Sequence, residues 1–110
     1  WLTEIGDLRS QLTGLDQYTR AAATRHLPAL TAVDEAVTEP SATSARDYLR
    51  SIGQPLDYPV ALDVTGRVAD GYGVQDQPWF VLTDASGKIV WSHDGWLSAA
   101  QLPAAVAKHL

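Results

Sequence analysis

The side chains able to do chemistry in this 110-residue chain are few, and the most reactive class is missing: there is no cysteine. Without sulfur there is no thiolate to attack a disulfide, no disulfide staple and no thiolate metal site. Three histidines remain, His26, His93 and His109; no two stand at a metal-ligand spacing, so no zinc site and no cofactor is expected. Asp34, Glu35 and Glu39 cluster after an apolar run. Such carboxylates could work as general acid and base, but no apolar residues are visible around them to raise a pKa, and they read as solvated charge at a loop end. Gly66 and Gly87 lie in neither a G-x-G-x-x-G nor a Walker pattern and read as turn glycines, not a phosphate cradle. Trp1, Trp79 and Trp96 belong to the residue type favoured as anchors where partners bind. The plainer reading is that these rings fill a small core. Trp91, next to Val90 on a predicted strand, reads as sheet packing.

Composition narrows the classes further. With 45% hydrophobic residues, positions 1–110 make one domain with one core, and one site is to be sought. The net charge is -5 and the eight Lys and Arg are scattered, which argues against a nucleic-acid partner, since phosphate binding needs clustered cations. No stretch approaches the roughly 18 apolar residues of a membrane span. Trp1 begins without a basic, signal-like segment, so any anchor or export signal is expected upstream.

The elements that must position these residues follow from periodicity. Leu8, Leu12, Leu15, Tyr18 and Ala22 recur at three- and four-residue spacing, predicting an amphipathic helix from Gly6 to about Arg25, ended by His26-Leu27-Pro28. Ala29 to Val33 is an apolar run of strand length and reads as a buried parallel strand. After Glu39-Pro40-Ser41, with Ser41 or Ser44 as cap, a second helix carries Ala45, Tyr48, Leu49 and Ile52 to a stop at Gly53. Tyr58 to Leu62 reads as a short strand, which Pro59 assigns to an edge. Arg67 to Tyr72 is long enough for one or two helical turns. Pro78 to Leu82 and Lys88 to Trp91 flank a turn at Asp84-Ala85-Ser86-Gly87 and form the clearest local signal, a β-hairpin. Ser98 to Leu110, with Pro103 in its first turns, closes the chain as a helix. This order predicts an α/β layered fold with a mixed sheet, parallel in its first half and antiparallel at the hairpin.

Several segments resemble the redoxin or TlpA-type branch of the thioredoxin-like superfamily, over nearly the whole chain. Tyr58-Pro59-Val60-Ala61-Leu62-Asp63, then Gly66-Arg67-Val68-Ala69 and Tyr72-Gly73-Val74, is similar to the family's strand, D-x-x-G-R turn and Y-G-V segment. Pro78 follows at the position of the family's cis-proline, and Trp79 to Asp84 with Gly87 to Val90 resembles its final hairpin; Trp79 stands where threonine is more usual. The amino end has the spacing of the family's W-x-x-W-C-x-x-C-R segment from Trp1 to Arg9. On that register Glu4 replaces the second tryptophan, and Ile5 and Leu8 replace the two cysteines. Gln11 stands near a usual glutamate and Thr13 at a helix-kinking proline. The resemblance therefore implies a three-layer thioredoxin-like fold with a mixed central sheet. An aliphatic pair offers neither nucleophile nor leaving group, so it does not imply the exchange reaction.

Two further expectations come from the resemblance. The family has a central strand just before its first tryptophan, and this chain has none, so the chain reads as amino-terminally incomplete or as taking that strand from another segment. Family members also bind peptides against the proline loop, which points to Gln77, Pro78, Trp79, Trp1 and Trp96 as a binding face for a protein or extended peptide, with Ile5 and Leu8 as an apolar spot beside it. The expected function is a redox-inactive binding or structural module, extracytoplasmic or membrane-tethered as that branch is, with dimerisation through an exposed sheet edge expected. The alternative is a fragment of an oxidoreductase whose working cysteines lie upstream. An enzyme using Glu4, Asp7 and Gln11 instead is ranked below both.

Overall fold

The structure, a computed structural model, describes residues 1, 8–41, 43–53 and 56–110. The first helix, α1 (Leu8–Arg25), turns Leu8, Leu12, Leu15, Tyr18 and Ala22 inward, as their spacing predicts, and all five are buried. It ends in a six-to-one bond from the Leu27 amide to the Ala22 carbonyl at 3.0 Å, with His26 between them at φ 55°. That is a Schellman-type cap carried by a residue with a Cβ. His26 is exposed, so His26→Gly should remove the left-handed strain without losing packing and raise stability by about 1 kcal/mol in urea unfolding. An unchanged midpoint would contradict it.

The expected strand at Ala29 to Val33 is shifted: β1 is Ala32–Asp34, because its parallel partner β2 (Val60–Leu62) first engages it at the Ala32 amide, which donates to the Pro59 carbonyl at 3.0 Å. Pro59 thus lies just outside the ladder, and among the described residues β2 pairs on one side only. Helix α2 (Ser44–Ile52) has Thr43, not Ser41 or Ser44, at its N-cap, and Thr43 makes no capping bond; the Ser41 hydroxyl pairs instead with Ser44 Oγ at 2.8 Å. Helix α3 (Arg67–Tyr72) starts at Gly66, whose φ of 80° explains the glycine. Upstream, Asp63 accepts from the Val68 and Ala69 amides at 3.3 and 2.9 Å, satisfying two donors that a helix start leaves open. That is the physical content of the D-x-x-G-R turn.

Strands β3 (Trp79–Thr83) and β4 (Ile89–Asp94) form the antiparallel hairpin, with a register irregularity between Leu82 and Thr83. Its turn is held by Asp84 Oδ1, which accepts from the Ser86 and Lys88 amides at 2.9 and 3.0 Å. The closing helix α4 (Gln101–Lys108) is entered through a reciprocal box: the Ser98 amide donates to Gln101 Oε1 and the Gln101 amide to Ser98 Oγ, both at 3.1 Å.

Leu15, Tyr18 and Ala22 of α1, Ala32, Tyr58, Leu82, and Leu102 and Val106 of α4 form the main core. Leu8, Leu12 and Ile52 form a second cluster, against which Trp1 and Tyr48 pack. Among the described residues the parallel and antiparallel halves are two separate two-stranded sheets, with no strand between β1 and β3.

Candidate functional site

The space between the two sheets is a cavity of about 510 Å³. All five residues expected at the binding face, Trp1, Gln77, Pro78, Trp79 and Trp96, line it, and so does Leu8 at the first position of α1. Ile5, Glu4 and Asp7 lie outside the described residues; Gln11 lines the cavity. The Gln77–Pro78 peptide bond is cis. Trp96 is held against Phe80 of β3, ring centroids 5.9 Å apart, and Trp1 leans on Tyr48 at 6.4 Å. The indole nitrogens of Trp1 and Trp79 are buried and have no hydrogen-bond partner among the described residues. Buried indole N–H groups usually find an acceptor, and among the described residues these two have none.

The carboxylates behave differently from the expectation of solvated loop charge. Asp34 is fully buried and Glu35 is 8% exposed. Glu35 Oε2 accepts from Gln77 Nε2, a bond that ties the end of β1 to the loop before Pro78. Among the described residues neither Asp34 oxygen has a well-formed hydrogen bond; burial, and next the carboxyl of Glu39, push its pKa up to about 7. No local pattern signals this, because the burial of Asp34 at the end of β1 is a matter of tertiary packing. Among the described residues no group of three His, Asp or Glu is arranged to hold a metal. No described helix is long and apolar enough to cross a membrane.

Trp1 is also part of the sheet. Its backbone nitrogen donates to the Val33 carbonyl at 2.8 Å and its carbonyl accepts from the Glu35 amide at 3.0 Å. This is the pattern of a parallel bridge opposite Asp34, on the edge of β1 away from β2.

No family profile matches the sequence and no curated protein does. Solved structures do. StoA from Bacillus subtilis superposes with a TM-score of 0.78 at 20% identity, covering 93% of this chain and 74% of its own. The exposed lipoprotein thioredoxin of Streptococcus pneumoniae superposes with a TM-score of 0.76 at 19% identity, covering 98% of this chain and 79% of its own. This chain has a thioredoxin-like fold. At these identities the likeness is one of fold, and chemistry has to be argued from the site. Leu8 of α1 and Pro78 line the same cavity, and no residue of the 110 carries a thiol.

Proposed function

We propose that this thioredoxin-like chain is a redox-inactive module that binds an extended peptide or protein segment at the face of Pro78. The observation that carries the reading is the convergence of Trp1, Gln77, Pro78, Trp79 and Trp96 on one face beside the cis Gln77–Pro78 bond. The absence of cysteine removes exchange chemistry from the same face. The Asp63 cap and Gly66 favour the redoxin or TlpA-type branch. An extracytoplasmic location is supported by the exposed lipoprotein among its structural neighbours, and the net charge of -5 favours a protein partner over nucleic acid.

The test uses reduced, carboxamidomethylated insulin B chain as an unfolded peptide probe, titrated into the isotopically labelled chain. Amide and indole shifts should concentrate at Gln77, Trp79, Trp96 and Trp1 and saturate. Shifts spread evenly over the surface, or none at millimolar probe, would overturn the reading. In parallel the chain should leave dithiothreitol-driven insulin reduction at its uncatalysed rate; acceleration would refute redox inactivity.

A further inference from the structure

The loop before Pro78 is held by carboxylates, and no Lys or Arg lines its face. Glu35 stands just past β1, where its carbonyl accepts both the amide and the hydroxyl of Thr38, at 2.9 and 2.8 Å, so its backbone is fixed. Its side chain reaches across to the loop, and the bond from Gln77 Nε2 to Oε2 takes one of the roughly four acceptor positions of the carboxylate. Asp76, which is exposed, accepts the Gln77 amide on Oδ1 at 2.8 Å and adds charge of the same sign. Asp63, the other acidic residue lining the cavity, gives both oxygens to the Val68 and Ala69 amides. All eight Lys and Arg fall within the described residues, and none lines the cavity with Glu35. The ion pairs among the described residues are Arg20 with Asp57 and Arg50 with Asp47. Glu35 is therefore an 8% exposed carboxylate that receives a neutral donor from Gln77 and makes no ion pair among the described residues. Taking a carboxylate out of water costs free energy that a counter-ion recovers.

We propose that Glu35 is the specificity-determining residue of this face, and that the peptide segment it selects carries an arginine whose guanidinium pairs with the Glu35 carboxylate beside Gln77. This rests on the peptide-binding reading above and names the class of segment bound. Two features favour arginine over lysine. The guanidinium presents its donors in a planar fork, which suits the acceptor positions that the Gln77 bond leaves open. It also stacks on aromatic faces, and Trp79 and Trp96 line the same cavity as Glu35. Gln77 acts in the same sense: with Nε2 given to Glu35 it keeps Oε1 as an acceptor, which a donor-rich side chain can use. An acidic segment meets Glu35 and Asp76 with like charge and is disfavoured. The net charge of -5 attracts a basic segment at longer range.

The test titrates the isotopically labelled chain with capped heptapeptides that differ only at a central residue flanked by valines: arginine, its neutral isostere citrulline, or glutamate. Affinity should fall in that order, with arginine about tenfold tighter than citrulline, the size of one charge-assisted hydrogen bond. Any other order overturns the proposal. The decisive variant is Glu35→Gln, which keeps an oxygen to accept from Gln77 Nε2 and removes the charge, so the loop stays held while the preference for arginine over citrulline falls to within about twofold. A tenfold preference that survives in Glu35→Gln overturns the proposal too, since the selecting group then lies elsewhere. If none of the three heptapeptides binds, the proposal is likewise overturned, and the insulin B chain titration decides separately on the reading beneath it. B-chain shifts at Gln77, Trp79 and Trp96 would leave peptide binding standing without an arginine preference; their absence would remove both.

Discussion

Between pH 4 and pH 7 the folded chain is expected to lose about 4 kcal/mol of stability from one side chain, and Asp34→Asn to lose none of that. Asp34 closes β1 with no exposed surface. Burial, then the neighbouring carboxyl of Glu39, push it from an ordinary value near 3.8 to about 7. A carboxyl with the higher pKa in the folded state holds its proton more tightly there than in the unfolded chain. Its contribution is complete below about pH 4, drains at roughly 1.4 kcal/mol per pH unit as pH rises, and is gone above about 7. The quantity to measure is therefore the difference in urea unfolding free energy between the parent chain and Asp34→Asn, at half-unit steps from pH 4 to 8. A difference that grows in favour of the asparagine chain across this window is expected. Two parallel curves would mean that Asp34 is ionised throughout.

Leu12→Ala is expected to cost about 3 kcal/mol, the second large effect. Leu12 is 2% exposed and packs with Leu8 and Ile52. It also lines the cavity between the sheets, and its carbonyl accepts the Tyr58 hydroxyl. Truncation removes three buried carbons and merges the space they leave with an existing cavity, so the surroundings have little to collapse onto. Leu110→Ala, at a residue 71% exposed, should change stability by less than about 0.5 kcal/mol and serves as the control. Loss of less than about 1 kcal/mol in Leu12→Ala would mean that α1 is held by something other than its leucine stripe.

What could be read from residue order was what repeats locally. The leucines of α1 stand three and four apart, and the hairpin is announced by a turn between two β-rich runs; both are found where the pattern assigns them. The proline-loop residues were reached through resemblance, and the cavity they line depends on a sheet gap that no local pattern reports. The acidic cluster departs from its expected solvated state for the same reason. Glu35 and Gln77 are bonded across 42 positions of sequence, and Asp34 is fully buried in the folded chain, so neither fact leaves a trace in the neighbouring sequence. The shift of β1 to Ala32–Asp34 is a partner effect too: hydrogen-bond pairing begins where β2 begins, not where the apolar run does.

The two sheets also differ in the length of chain each must close. In the hairpin, Thr83 meets Ile89, a separation of 6 residues, whereas β1 meets β2 with Ala32 against Val60, a separation of 28. Closing the longer loop costs about 1.4 kcal/mol more chain entropy than closing the shorter one. The hairpin can form on the microsecond scale from local contacts alone, while the parallel pair has to wait for α2 to fold back. The molecule thus has an early half and a late half, and the cavity between the sheets comes into being only when the late half arrives.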